Sequence, residues 1–134
     1  MSGRPNLEQV RARNALNAVN RGVRGRGVQD GDALSGFPAL IVNNGLLATL
    51  AYAISKRDRG GYREIGDAIA AHLADPLIGL HKGPPTLSGL RDALAAENSA
   101  ALRLCTAEAL AYLNYLRRFA KGQNSQPQNR SQED

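Results

Sequence analysis

The sequence predicts an all-α protein, a single compact bundle of about five helices with a flexible C-terminal tail. Alanine and leucine are abundant, and apolar residues recur at helical spacing in several segments. Valine, isoleucine and threonine are scattered and never alternate cleanly with polar residues, so strand signals are weak. A chain of 134 residues that is 43% hydrophobic is long enough for one domain with a hydrophobic core and too short for two domains of ordinary size. We therefore expect one helical domain over residues 1–122.

The first predicted helix is PNLEQVRARNALNAVNRGV, residues 5–23. Pro5 suits the first turn of a helix, where its missing N–H costs no hydrogen bond. The helix is expected to end by Gly22. The segment that follows, up to Asp32, is rich in glycine and arginine and predicts a mobile, positively charged loop.

The second predicted helix begins at Pro38 and ends before Gly60. It is apolar nearly all round, which indicates a central and largely buried helix. Asn43, Asn44 and Gly45 interrupt it. Glycine inside a helix costs about 1 kcal/mol relative to alanine and is usually kept for close packing or a local bend. The sequence leaves the burial of the two asparagines open, and helix packing favours amides that are satisfied inside the core.

The third predicted helix covers residues 61–76, GYREIGDAIAAHLADP. Pro76 ends it, because the residue before a proline is pushed out of the helical region. The fourth predicted helix is short and covers residues 86–98, TLSGLRDALAAEN. Either Thr86 or Ser88 could supply its N-terminal cap.

The last predicted helix follows a cap at Asn98 or Ser99 and ends at Gly122, where a helix C-terminus prefers glycine. The polar residues 123–134, QNSQPQNRSQED, have few apolar side chains and are predicted to be disordered.

The formal net charge is +5, which permits a nucleic-acid or acidic partner without requiring one. The charge is unevenly spread. Residues 1–30 carry six arginines against two acids, and residues 56–63 carry four basic side chains against one acid. Residues 64–99 reverse the balance, with five acids against two basic side chains. Residues 117–121 contribute three more cations.

The candidate phosphate-binding residues are basic side chains at helix ends and in loops, because basic segments that converge in space form a phosphate track. They are Arg24, Arg26, Lys56, Arg57, Arg59, Arg63, Arg117, Arg118 and Lys121. A purely structural explanation stays open, since cations in the last turn of a helix stabilise it by about 0.3–1 kcal/mol. Aromatic residues make up only 4% of the chain, so if it binds nucleic acid it should do so mainly through phosphates and without reading sequence.

Residues for catalysis or metal binding are not apparent. The spacing of His72 and His81 is not that of a zinc site, and the single Cys105 cannot complete a thiolate set. We expect His72 to be a surface or packing residue, His81 to be solvated in a loop, and Cys105 to be a small core residue. The segment GVRGRG follows a helix and lacks the lysine and hydroxyl residue of a phosphate-binding loop. We expect no cofactor, no metal and no enzymatic activity.

The cellular setting is predicted from what the sequence lacks. A single cysteine cannot form a disulfide framework. The N-terminal residues have no apolar signal-peptide core, and no apolar run approaches the roughly 20 residues that span a bilayer. A soluble, cytoplasmic protein is expected.

Two segments, FPALIVNNGLLATLAYAISK and TAEALAYLNYLRRFAKG, resemble the small all-helical subunit of the type III-B CRISPR (Cmr) RNA-targeting effector complex. The resemblance spans most of residues 5–121 and is unspecific over 75–98. The matching residues in the first segment are Pro38, Ala39, Leu40, Ile41, Asn44, Gly45, Leu46, Thr49, Leu50, Ala51 and Tyr52. Those in the second are Thr106, Glu108, Ala109, Leu110, Tyr112, Leu113, Leu116, Arg118, Phe119 and Ala120.

The resemblance implies a helical domain without catalytic activity, stacked head to tail with copies of itself beside the backbone subunits that hold the guide RNA. Its partners would be those other Cmr subunits, the guide RNA and the target RNA, and cleavage would belong to a different subunit. Lys56 and Arg118 match basic positions of that family, whereas the other candidate cations rest on charge alone. The acidic segment 64–99 is expected to meet a neighbouring protein while the basic clusters face RNA.

Two other functions stay open. Residues 86–110, TLSGLRDALAAENSAALRLCTAEAL, could pass for the helix-turn-helix of a small DNA-binding regulator. Their second helix, however, carries mostly alanine and leucine in place of base-reading side chains. The chain could also be a pure protein-interaction spacer, in which case its charges would serve only solubility.

Overall fold

Six helices and no strands make up the described part of the computed structural model, which covers residues 5–23, 33–56 and 61–133, with side chains up to Lys121. The all-α prediction is confirmed, and about five helices was close to the six observed. In chain order they are α1 Leu7–Asn20, α2 Ala33–Asn44, α3 Leu46–Ser55, α4 Tyr62–Ala74, α5 Leu87–Ala95 and α6 Ser99–Glu133. Most of the predicted glycine- and arginine-rich loop, from Arg24 to Asp32, lies outside the described residues.

The start of α1 is set by a capping box and not by Pro5. The Asn6 side chain accepts a hydrogen bond from the Gln9 backbone N–H at 2.8 Å, and the Gln9 side chain accepts one from the Asn6 N–H at 2.8 Å. Two backbone donors that a helix start leaves unpaired are thereby satisfied. Pro5 precedes the cap, so the predicted start was early by two residues.

Two of the alternative caps are resolved by the structure. At the start of α5 the Thr86 hydroxyl accepts a hydrogen bond from the Gly89 N–H at 3.0 Å. At the start of α6 the Asn98 side chain accepts one from the Ala101 N–H at 2.8 Å. Each side chain acts three residues ahead of the amide it caps, which is the usual N-cap geometry.

The predicted second helix is in fact two helices, α2 and α3, separated at Gly45. Gly45 has a φ of +89°, a conformation that residues with a Cβ rarely adopt, and a Cβ added there would meet no atom within 4 Å. The glycine is therefore kept for its backbone angle and not for close packing. Asn43 and Asn44 are exposed at this corner, so the expectation of amides satisfied inside the core is wrong.

The proline in α2 lies inside the helix, which begins at Ala33 instead of Pro38. A proline in a helix removes one backbone hydrogen bond. In α2 the side chains of Leu34, Phe37 and Ile41 recur at helical spacing and are almost completely buried. Burial of each such side chain is worth about 1.5–3 kcal/mol, so packing outweighs the loss.

All six helices contribute to one buried apolar cluster. Helix α6 supplies Cys105, Ala109, Leu113 and Leu116, which are nearly inaccessible to solvent. Helices α4 and α5 approach closely at Gly66, where an added Cβ would lie 2.5 Å from a methyl carbon of Leu87. The prediction that Cys105 is a small core residue is confirmed, and burial raises the pKa of its thiol.

The backbone of α6 continues to Glu133, beyond its predicted end at Gly122. A single glycine costs a helix only about 1 kcal/mol, which does not suffice to end one. The division into a domain over residues 1–122 and a flexible tail over 123–134 stays a prediction.

Candidate nucleic-acid interface

The candidate phosphate-binding residues are only partly described by the structure. Arg24, Arg26, Arg57 and Arg59 lie outside the described residues. The five that are described fall into two groups on different helices. They are Lys56, Arg63, Arg117, Arg118 and Lys121.

The first group, which we call the tyrosine edge, consists of Tyr52, Lys56, Tyr62 and Arg63. The Lys56 ammonium lies 5.8 Å from the centroid of the Tyr52 ring. The Tyr52 and Tyr62 rings meet edge to face, with centroids 5.6 Å apart and planes at 87°. Lys56 follows the last residue of α3 and Arg63 follows Tyr62 at the start of α4, so the ring pair joins the two helix ends that carry these cations.

Tyr62 links the tyrosine edge to the core. Its ring lies 6.1 Å from that of the fully buried Phe37. Arg63 pairs only loosely with Asp67, at 3.9 Å, and 62% of the Arg63 side chain is exposed. Such i,i+4 surface pairs contribute about 0.3–0.5 kcal/mol, so the guanidinium can exchange Asp67 for another anion at little cost.

The second group, the basic face of α6, consists of Arg117, Arg118 and Lys121, all exposed. The buried side of the same turns carries Leu116 and Ala120. Arg117 and Lys121 are one turn apart on the helix surface, where two like charges destabilise a helix by a few tenths of a kcal/mol. Arg117 and Lys121 therefore repel each other along the helix surface.

A polar network joins α1, α4 and α6. Arg11 donates two hydrogen bonds to the Glu108 carboxylate, each 2.8 Å long. The His72 Nε2 lies 2.9 Å from an oxygen of that carboxylate, and its ring stacks on Tyr112 at 4.3 Å with planes 11° apart. Asn14 reaches the His72 Nδ1 at 2.9 Å and donates to Asp75 at 2.9 Å.

The geometry assigns His72 as the neutral tautomer that is protonated at Nε2. Nε2–H donates to the Glu108 carboxylate, and Nδ1 accepts from the Asn14 amide, so a second proton on Nδ1 would face an N–H. Burial lowers the pKa of His72, and this effect outweighs the opposing hydrogen bond to Glu108. The contact with Glu108 is therefore a hydrogen bond to neutral imidazole and not an ion pair.

Both carboxylates in the network are held ionised. Burial alone would raise the pKa of Glu108, but hydrogen bonds from Arg11 and His72 keep the pKa below its usual value. In the same way, burial would raise the pKa of Asp75, and hydrogen bonds from the Leu77 N–H and the Asn14 side chain lower it. Such pairing of a buried charge avoids the large cost of leaving it alone in the interior.

The network shows where the sequence interpretation was incomplete. His72 is a packing residue, as one of the two expected options had it, and it is also hydrogen-bonded at both ring nitrogens. A signal was present, because His72 is three residues from Ile69 and Glu108 three residues from Cys105, each on the buried stripe of its helix. A charged side chain on such a stripe needs a partner, but the spacing could not reveal that Glu108's partner is 97 residues away.

The prediction that His81 is solvated is wrong. His81 is only 4% exposed, and its Nε2 lies 2.7 Å from the Pro84 carbonyl oxygen. The loop between α4 and α5 packs over the His81 ring, and hydrogen bonds between the ring and the backbone of that loop stabilise it.

The described residues hold neither a metal-binding cluster nor a membrane span. No group of three or more histidine, cysteine, aspartate or glutamate side chains that could hold a metal ion occurs among them. Within the same part of the chain, no helix combines the length and the apolar character needed to cross a membrane.

Comparisons with known proteins agree with the resemblance found in the sequence. Residues 7–123 match the family described as CRISPR-associated protein (Cas_Cmr5). The fold is similar to the X-ray crystal structure of a CRISPR-associated Cmr5 family protein from Thermus thermophilus, with a TM-score of 0.64 and 22% sequence identity. That similarity covers 88% of this chain and 97% of the Thermus chain. No curated protein matches the sequence.

The family match spans nearly all of the described helical part, and the solved structure has the same fold over almost its whole length. The predicted resemblance to a Cmr subunit is confirmed. The chain belongs to the Cas_Cmr5 family of CRISPR-associated proteins, which supports a role as a subunit of a Cmr complex.

Proposed function

We propose that this chain is a non-catalytic structural subunit of the type III-B Cmr effector complex and binds guide–target RNA through phosphate contacts in antiviral defence. Its family supports the assignment to a Cmr complex. The observation that carries the RNA part is the pair of cation groups at the surface, the tyrosine edge and the basic face of α6. Such a complex would act in the cytoplasm.

Contacts to phosphates suit a subunit that must follow RNA of any sequence. Backbone contacts fix position and carry no base information. A domain with a few such contacts binds weakly, with a Kd of about 10⁻⁴–10⁻⁶ M at physiological salt. Copies of the domain stacked head to tail along one RNA, beside the complex's backbone subunits, would convert weak contacts into avidity.

The acidic segment 64–99 would supply the protein-facing side of that stack. Three of its five acids are already engaged within the chain. Asp67 accepts a hydrogen bond from the Leu87 N–H at 2.7 Å, Asp75 belongs to the polar network, and Asp92 accepts one from Arg91 at 2.7 Å. The three exposed acids of the segment are Glu64, Glu97 and the surface-paired Asp92. An acidic surface that meets a basic one on the next copy is a head-to-tail contact, which builds filaments and not closed dimers.

The test is charge reversal on α6. The double variant Arg117→Glu, Arg118→Glu should weaken binding to a guide–target RNA duplex at least tenfold and lower the slope of log K against log salt by about 2. Binding is measured for the isolated chain and again with the backbone subunits. Circular dichroism should report an unchanged fold, because both side chains are exposed.

The matched control is Lys82→Glu, Arg91→Glu, which makes the same change in net charge within the acidic segment. It should leave RNA affinity close to that of the original chain. Equal loss in both variants would mean that only net charge matters, and no loss in either would contradict the proposed RNA contacts. No RNA binding by the unaltered chain, alone or assembled, would favour the protein-interaction spacer.

The DNA-binding alternative gains no support. Helices α5 and α6 are joined by a short turn as in a helix-turn-helix, but the exposed side chains at the start of α6 are mostly small or apolar. They are Ser99, Ala100, Arg103, Leu104 and Ala107. A single arginine offers little base readout in a major groove.

A further inference from the structure

We propose that the tyrosine edge holds an unpaired base of single-stranded RNA, stacked on the Tyr52 ring, while Lys56 and Arg63 bind the phosphates on either side. This inference rests on the proposed function, from which it takes RNA as the partner. It adds a second mode of contact, because stacking selects unpaired bases whereas phosphate contacts accept any strand.

The first observation is the exposure of the Tyr52 ring. Tyr52 is 41% exposed, so its side chain is accessible to a ligand. The exposed residues beside it on α3 are all small, namely Ala48, Ala51 and Ser55. The described neighbours of the ring on α3 are therefore small apart from Lys56, whose ammonium lies over the ring.

The second observation is that the ring is already fixed in place. Tyr62 meets Tyr52 edge to face, and Tyr62 in turn packs against Phe37 in the core. A ring that is ordered before the ligand arrives loses little conformational freedom on binding. Tyrosine also presents a large contact area with only two side-chain torsions to fix.

The third observation is the position of the cations. The Lys56 ammonium rests over the Tyr52 ring at 5.8 Å, near the outer limit for a cation–π contact, so a base can displace it at little cost. The displaced ammonium remains within reach of the backbone of the same nucleotide. Arg63, loosely paired with Asp67 at 3.9 Å, can turn its donors to a neighbouring phosphate.

The other tyrosines lack this combination. Tyr112 is buried against His72. Tyr115 lies on α6 near the basic face, but its hydroxyl donates to the Glu8 carboxylate at 2.8 Å. A carboxylate beside the ring repels phosphates, so Tyr115 provides a matched control on the same protein.

The experiment measures binding of the full chain to a short single-stranded RNA that contains 2-aminopurine, an adenine analogue whose fluorescence is quenched on stacking. The unaltered chain should quench it, and Tyr52→Leu should abolish the quenching and weaken binding about tenfold. Tyr52→Phe should retain both, because it keeps the ring, and Tyr115→Leu should behave like the unaltered chain. The loss in Tyr52→Leu should be the same at low and high salt, whereas Lys56→Gln should lower the salt slope by about 0.7.

Three results would overturn the inference. Equal affinity and quenching in Tyr52→Leu and the unaltered chain, with duplex binding preserved, would remove the stacking site and leave the proposed function standing. No binding of duplex or single strand by the unaltered chain, alone or assembled with the backbone subunits, would contradict both proposals. Loss of assembly with partner subunits in Tyr52→Leu when RNA is absent would mean that the edge contacts protein instead.

Discussion

Glu108 is the residue through which three helices are joined by polar contacts. It is 8% exposed, accepts two hydrogen bonds from Arg11 of α1 and one from His72 of α4, and itself belongs to α6. Removing one partner of such a pair leaves the other charge without compensation. The network is thus more sensitive to the loss of one member than the surface ion pairs of the chain are.

We predict that Glu108→Gln lowers the free energy of unfolding by about 2 kcal/mol, because Arg11 keeps its charge and loses its carboxylate. The melting temperature should fall by roughly 6–10 °C, measured by circular dichroism. The control is Asp92→Asn, which breaks the exposed pair with Arg91 and should change stability by less than about 0.5 kcal/mol. Equal effects of the two substitutions would show that the network adds nothing beyond a surface pair.

The second prediction at this scale concerns acid. Burial lowers the pKa of His72 from its usual value of 6.5 in the folded chain. Below that pH the unfolded chain therefore binds a proton at His72 more readily than the folded chain does, which favours unfolding. The pKa of Glu108 is likewise depressed below 4.5, which adds a further loss of stability at lower pH. Stability should therefore be greatest above pH 6.5 and decline on acidification.

Urea unfolding at a series of pH values measures this decline. His72→Gln should flatten the curve between about pH 5 and 7 and leave the steeper loss below about pH 4.5, since Glu108 and Asp75 still titrate there. An unchanged slope between about pH 5 and 7 in the variant would assign the effect to another group.

Sequence alone could predict the type of most buried residues but not their polar partners. Periodicity places Cys105 and Leu113 on the inner face of α6, and both are in the core. Periodicity describes one helix at a time, so it could not pair Arg11 with Glu108 or bring Asn14 to His72. The prediction that His81 is solvated was wrong for a similar reason. The conformation of the loop between α4 and α5 buries that ring, and helical periodicity does not describe a loop.

At the scale of the helix, Gly45 decides where α2 ends and α3 begins. We predict that Gly45→Ala destabilises the protein by about 1–2 kcal/mol, because alanine disfavours a φ of +89°. Gly36→Ala should do the opposite and stabilise by about 0.5–1 kcal/mol, because Gly36 lies within α2 and an added Cβ has open space there. Both are read from thermal melts, and the same sign for both would contradict the assignment of Gly45 to a backbone requirement.

The helices were predictable because each carries its own start and stop signals. Asp75 and Pro76 end α4 as expected, and Thr86 begins α5. The errors fall where local signals compete with packing. Pro38 suggests a start but lies inside α2, since buried Leu34 and Phe37 extend the helix before it.

At the scale of the whole molecule, the apolar cluster joins all six helices, so none has a core of its own. We predict one cooperative unfolding transition. Far-ultraviolet circular dichroism follows the helices, and near-ultraviolet circular dichroism follows the tyrosines, which are the main aromatic chromophores because the chain has no tryptophan. The two melting curves should coincide, and separate midpoints would mean that part of the bundle unfolds independently.

The sequence alone predicts which charged residues the surface carries. The sequence located the basic clusters but not their arrangement. The ring contact that joins the Lys56 end of α3 to the Arg63 end of α4 is formed by Tyr52 and Tyr62, which lie on different helices. The proposed RNA contacts of Arg117, Arg118 and Lys121 depend in the same way on a helix face that the structure exposes.

The long-range contacts of α1 have a consequence for synthesis on the ribosome. Its Glu8, Arg11 and Asn14 find their partners on α6, at sequence separations of 107, 97 and 98 residues. Helix α1 can therefore complete its docking only after α6 has left the exit tunnel, although Asn14 can meet His72 and Asp75 beside α4 earlier. Contacts at such long sequence separations form late and slow the folding of a chain. A nascent chain halted before α6 would carry an open apolar surface, to which chaperones that bind nascent chains would be expected to attach until α6 emerges.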